Sequence, residues 1–189
     1  MVNENINLNW KGPFPFEKFS NKEICNSNPD LNENGVYLYS LKEKNSDIYM
    51  VTYVGAAPIQ SIFNRIFNEY SGTKNLKIGS YLKHSISDTN EELEIFIRIF
   101  DEIDEDLIKH NIESHFIFYA VPDNDIISKL SQELSDPFKE IEGALKNILR
   151  RKMESRKFLN ILEHPKYNFN PKFIINSTED PVIKIKGLI

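Results

Sequence analysis

Two short runs rich in β-branched and aromatic residues, 35–41 and 48–56, flank the polar stretch 42–47. Such residues fit a pleated, half-buried surface, and two runs joined by a short polar connection read as a β-hairpin. The period then changes. After Pro58, the residues Ile59, Ile62, Phe63, Ile66, Phe67 and Tyr70 recur as one face of a helix, and Gly72 offers a stop. A sheet face and a helical stripe that follow each other directly must bury against one another. This block predicts an α+β chain.

The remaining pattern extends the class. Residues 76–86 read as a short helix. Leu93, Ile95, Ile97 and Ile99 alternate, so 93–100 reads as a strand, and 104–112 as a helix. The apolar run 116–121, ended by Pro122, is expected to be a buried strand, and 126–134 a helix. Asp136 and Pro137 form a helix start, with Asp as cap and Pro at the first position. Phe138, Ile141, Leu145, Ile148 and Leu149 give that helix its apolar face. The expected architecture is a small, mainly antiparallel sheet of about three central strands flanked by helices and helical insertions. Residues 1–33 read as an irregular aromatic arm, 34–170 as the domain, and 171–189 as an extended C-terminal segment.

Composition narrows the function classes. The chain has 189 residues, 40% hydrophobic and 27% charged, which fits a packed core rather than disorder. No apolar run approaches the roughly 20 residues that span a bilayer, and the first residues show neither a basic region nor an apolar stretch. Cys25 is the single cysteine, so an internal disulfide and a cysteine zinc cluster are excluded, and a reducing cytoplasm is the expected home. The net charge of −5 runs against nucleic-acid binding, which counterion release normally drives through basic surface. Basic residues are nevertheless grouped: Lys146, Arg150, Arg151, Lys152, Arg156 and Lys157 lie close together in sequence. Asp101, Glu102, Asp104, Glu105 and Asp106 hold much of the acid elsewhere.

Five separated elements carry chemistry. They are Gly35-Val36-Tyr37, Tyr53-Val54-Gly55, Arg65 on the following helix, Glu142 in Glu142-Gly143-Ala144-Leu145, and Pro165-Lys166-Tyr167-Asn168. In this order they resemble the GIY-YIG endonuclease family, across roughly residues 35–168. The resemblance implies metal-dependent hydrolysis of DNA phosphodiesters, with Tyr37, Tyr53, Arg65, Glu142 and Asn168 as the catalytic set. Glu142 would hold Mg2+ or Mn2+. It also implies that a tyrosine acts on the attacking water. Tyr37, in mid-strand, is the expected base, and Tyr53 the residue that orients water or phosphate. Two departures stand out. The spacing from Glu142 to Asn168 is long, with an apparent insertion around 148–163. The family often has a histidine one turn after the arginine, where this chain has Glu69 and Tyr70.

The chemistry is consistent with that set. Phosphodiester hydrolysis needs a Lewis acid, an activated water and cations facing the developing charge. Glu142 offers a hard oxygen, and magnesium keeps most of its waters and needs few protein ligands. Arg65 offers a bidentate phosphate contact. A tyrosine titrates near ~10 and acts as a base only if a cation lowers it; a metal and Arg65 would supply that. Asn168 suits the orientation of a ligand or a tyrosine. Helical spacing sets Arg65 off its apolar stripe, puts Glu142 at the edge of its own, and turns Glu140 to solvent.

Taken singly, each residue has a plainer reading. Tyr37, Tyr39, Tyr49 and Tyr53 would be core or cross-strand residues. Arg65 and Glu142 would be surface residues, and Asn168 a loop residue. His84 and His115 lack metal-ligand spacing, and Cys25 reads as incidental. The basic stretch from Lys146 to Lys157, with Arg150, Arg151 and Arg156 between, is either a solvated helix face or a DNA contact. The expectation is a stand-alone DNA endonuclease of restriction or defence type, with RNA left open and a homodimer suggested by the need to cut two strands. The alternatives are a repair or structure-specific nuclease, and a degenerate module that binds nucleic acid or protein without cutting.

Overall fold

The fold was determined as a computed structural model, which describes residues 4–42, 47–74, 113, 115–152, 173–178 and 184–186. Strands β1 (Glu4–Asn9) and β2 (Lys11–Pro15) come first, followed by a 3-10 turn (Phe16–Ser20), the single-turn helix α1 (Ile24–Ser27) and a second 3-10 turn (Pro29–Asn32). Strands β3 (Gly35–Lys42) and β4 (Ile48–Ala57) form the hairpin, and helix α2 (Ile62–Lys74) follows. Strand β5 (His115–Ala120), helices α3 (Asn124–Leu130) and α4 (Pro137–Lys152), and strands β6 (Phe173–Thr178) and β7 (Lys184–Lys186) complete the order.

Five strands form the main sheet in the order β2-β5-β3-β4-β7, and β1 pairs with β6 in a second, two-stranded sheet. The pairings of β3 with β4, β3 with β5 and β2 with β5 are antiparallel, while β7 joins β4 in parallel. The sheet is therefore mainly antiparallel, as expected, with β3 at its centre. Two layers of core cover it. On one face Val36, Leu38, Val54, Ala56 and Phe118 pack with Ile141, Leu145 and Leu149 of α4. On the other, Tyr37, Tyr39, Ile117 and Tyr119 pack with Ile62, Phe63 and Ile66 of α2 and with Phe16 and Phe19.

Four expectations are corrected. Residues 1–33 are not an irregular arm: β2 is an edge strand of the main sheet, β1 forms its own ladder, and Ile6 and Leu8 are fully buried. Helix α2 starts at Ile62 rather than at Pro58, because Ser61 caps it through its hydroxyl, 3.2 Å from the Asn64 amide. Ile59 consequently lies outside the helical stripe and is 94% exposed. Gly72 does not stop the helix, which runs on to Lys74. The start of α4 agrees with its sequence signal, since the Asp136 carboxylate accepts from the Lys139 amide at 3.1 Å. The segments 76–86, 93–100 and 104–112 lie outside the described residues.

Candidate active site

The geometry of the site begins with a register. Tyr37 on β3 lies opposite Gly55 on β4, and Tyr39 opposite Tyr53. Side chains alternate along a strand, so all three tyrosines share the sheet face that α2 covers. The register slips between Tyr39 and Ser40, where Val51 becomes the next partner and Thr52 is passed over. This β-bulge reverses the parity of β4: Tyr49 and Val51 point into the α4 core, and Tyr53 points to the α2 side.

Two glycines let the rings close in. A Cβ on Gly55 would stand 2.3 Å from Cζ of Tyr37, and one on Gly35 would stand 2.5 Å from the carbonyl oxygen of Ala120. Both distances are impossible contacts, so glycine at each position is a condition of the packing. The Tyr37 and Tyr53 ring centroids are 6.1 Å apart, and those of Tyr39 and Tyr53 are 5.3 Å apart.

The hydroxyls meet at Glu69, one turn after Arg65 on α2. Tyr37 donates to Oε1 of Glu69 at 2.7 Å, and Tyr39 donates to Oε2 at 2.5 Å. Arg65 Nε donates to the Tyr37 oxygen at 3.3 Å and pairs with Glu69 Oε1 at 3.0 Å. Exposure grades outward through this cluster. Tyr37 is fully buried, Tyr53 is half-buried, and the Arg65 side chain is 43% exposed.

Electrostatics follow the burial. Burial, then the charge of Glu69, pushes the Tyr37 phenol well above its ordinary value, against the pull of Arg65. Burial, then Glu69 and Glu142, pushes Tyr53 up. Glu69 is itself raised by burial, although the Tyr39 hydroxyl, Arg65 and the Tyr37 hydroxyl favour its charged form. Arg65 acts on both tyrosines in the expected, lowering direction, and burial outweighs it.

Glu142 comes from α4, on the opposite layer, and its charge acts on both Tyr53 and Glu69. Its side chain is 20% exposed and holds the Lys146 ammonium at 2.5 Å, one turn along the helix. The structure thus brings Tyr37, Tyr53 and Arg65 together around Glu69, while Glu142 bears on Tyr53 and Glu69 through its charge alone. Arg150 and Arg151 continue along α4, while Asn168, Arg156 and Lys157 lie outside the described residues. His115 is buried in β5 and Cys25 is buried in α1. Glu69 and Tyr39 are the members that the sequence reading missed. The signal for Glu69 was its position one turn after Arg65, on the face toward the hairpin.

Glu142 offers a single hard carboxylate toward a cation. Glu142 already faces a cation in Lys146, and magnesium binds through one or two carboxylates plus phosphate oxygens. Among the described residues no group of three or more His, Cys, Asp or Glu side chains forms a closed cage, and no helix is long and apolar enough to cross a membrane. No protein-family model matches the chain, and no curated protein or solved structure shows significant similarity to it.

Proposed function

We propose that this chain is a metal-dependent phosphodiesterase that cuts DNA, with an active site of the GIY-YIG kind. One observation carries the reading. Tyr37 of the hairpin and Arg65 and Glu69 of α2 are hydrogen-bonded to one another, Tyr53 stacks beside Tyr37, and the charge of Glu142 on α4 bears on Tyr53 and Glu69. Burying phenols and a carboxylate together is costly unless each polar group is satisfied, and an ordinary apolar core would be easier to build. The Arg65 side chain is 43% exposed and its Nε is held by Tyr37 and Glu69, so it could meet a phosphate arriving from solvent. Glu142 would hold magnesium or manganese, and a bound metal would supply Lewis-acid polarisation of the phosphate. The basic run along α4 from Lys146 through Arg150 and Arg151 would follow the DNA backbone.

The test is incubation of purified protein with supercoiled plasmid in magnesium or manganese. Cutting is expected, and it is expected to vanish in chelator and in Glu142→Gln with the fold intact by circular dichroism. Arg65→Ala should lower the single-turnover rate by ~10²-fold or more, the scale of one lost preorganised charge contact, with little loss of binding. Cutting undiminished by chelator would remove the metal from the reading. DNA binding without cutting would favour the binding-only alternative.

A further inference from the structure

We propose that Glu69 is a positioning residue: its carboxylate ties the Arg65 guanidinium to the two phenols of the central strand, and so fixes the arginine for a phosphate. The inference rests on the hydrolytic reading above and adds to it the residue through which Arg65 is held.

Three donors converge on this one carboxylate. Tyr37 donates to Oε1 at 2.7 Å, Tyr39 donates to Oε2 at 2.5 Å, and Arg65 Nε lies 3.0 Å from Oε1. The phenols stand two residues apart on β3, hence on one face of the strand, and both are fully buried. Strand β3 is the middle one of five and is paired on both sides. The two hydroxyls therefore hold both oxygens of the carboxylate from a strand that is itself held by two neighbours.

The carboxylate in turn holds the arginine. Arg65 and Glu69 are one turn apart on α2, the spacing at which helical side chains meet. The Glu69 side chain is 16% exposed and that of Arg65 is 43% exposed, so the pair leads from the buried phenols toward solvent. A guanidinium is planar, with five N–H donors in a rigid fork. Holding Nε beside Glu69 Oε1 and the Tyr37 oxygen, 3.3 Å away, sets the plane of that fork. The other four N–H groups sit on the two terminal nitrogens, and paired N–H groups of this kind are what a phosphate takes. Two buried phenols alone do not require a charge here. A neutral acceptor would satisfy them with a smaller desolvation cost. Burial works against the ionised form of Glu69, while Tyr39, Arg65 and Tyr37 work for it. Of these three, Arg65 is the one that matches a negative charge with a positive one.

Glu69→Ala releases Arg65 and should lower kcat by roughly 10- to 100-fold, the scale of a misplaced catalytic group, with KM nearly unchanged. Glu69→Gln keeps an oxygen that can accept from Nε and should recover part of that loss. Because Glu69 acts through Arg65, the double variant Glu69→Ala/Arg65→Ala should be no slower than Arg65→Ala. A readout without DNA is the exchange of the Arg65 Nε–H with water by NMR, its signal assigned from its absence in Arg65→Ala. Exchange should be slow in the native chain, faster in Glu69→Gln and fastest in Glu69→Ala. Should Glu69→Ala fail to fold by circular dichroism, Glu69→Asp makes the same test. It keeps the charge and withdraws it by one methylene, so rate and Nε–H protection should fall together. With a native chain that cuts, three results would overturn the positioning role alone: a native rate in the variant that frees Arg65, a rise in KM in place of a fall in kcat, or a double variant slowed by the product of the two single losses. Equal Nε–H exchange in the native chain and that variant would overturn it without reference to cutting. A native chain that cuts nothing would bring down the hydrolytic reading, and the positioning role with it, even where the Nε–H stays protected.

Discussion

A methyl group at position 55 would meet Tyr37 at 2.3 Å from Cζ and 2.4 Å from the hydroxyl oxygen. The obstacle is the Tyr37 ring itself, which is fully buried in the layer between the hairpin and α2. Gly55→Ala should therefore destabilise the fold by about 1–3 kcal/mol, the usual range for overpacking, and should displace the Tyr37 hydroxyl from Glu69. Adding Tyr37→Phe should not restore stability, since Cζ and Cε2 remain in the way. Urea unfolding of the single and double variants checks this, and a Gly55→Ala midpoint equal to the native one would disprove it. Gly55 was visible in the sequence as part of Tyr53-Val54-Gly55, but the ring across from it was not. Cross-strand contacts depend on register, and a single sequence does not state register. Glu69 was hidden for a related reason. A carboxylate on a helix reads as solvated until one knows that two tyrosines of another strand end on it.

Among the elements, the hairpin, α2, β5, α3 and α4 were legible because their apolar residues keep one period and their caps are strong. The bulge at Thr52 was not. Tyr49, Val51 and Tyr53 alternate cleanly and read as one face, yet the register slip puts Tyr53 opposite Tyr39, on the side away from Tyr49 and Val51. Nothing in the local sequence marks that residue for a bulge. The strands at the two termini were missed because their partners are distant in sequence and each is short. Helix α4 carries the element-scale prediction. Its turn spacing places Lys146 on Glu142 at 2.5 Å, with both side chains largely covered. A metal ion at Glu142 must displace or share that ammonium. Lys146→Met keeps the covered stem and removes the charge, so manganese should bind more tightly by roughly two- to tenfold, as the competing pair is worth several tenths of a kcal/mol or somewhat more. Titration calorimetry with manganese measures it, with Glu142→Gln as the variant expected not to bind. Weaker binding in Lys146→Met would mean that the lysine assists the cation instead of competing with it.

At the scale of the molecule, the acidic total of −5 stands beside a basic run in the sequence of α4, Lys146, Arg150, Arg151 and Lys152. The architecture also ties the ends of the chain to its core. Strand β1 runs parallel to β6, pairing Ile6 with Ile175 and Leu8 with Ser177. Its buried side chains, Ile6 and Leu8, belong to the same apolar cluster as Leu38, Val54 and Leu145. That cluster supports the far side of the strands whose near side holds the tyrosines. The first strand is consequently a structural part of the domain and not a detachable arm. Leu8→Ala should cost about 2–5 kcal/mol, the range for truncating a buried leucine, while Asn5→Ala on the exposed side of the same strand should stay within about 0.5 kcal/mol of native. Equilibrium unfolding in urea separates the two. The same loss should reach the site, because a softened β3–β4 pair no longer holds Tyr37 and Tyr53 at fixed separation. Plasmid cutting by Leu8→Ala should therefore fail at a lower temperature than in the native chain, in step with its unfolding. If Leu8→Ala is as mild as Asn5→Ala, β1 packs on the domain without supporting it, and the coupling between the chain ends and the site is wrong.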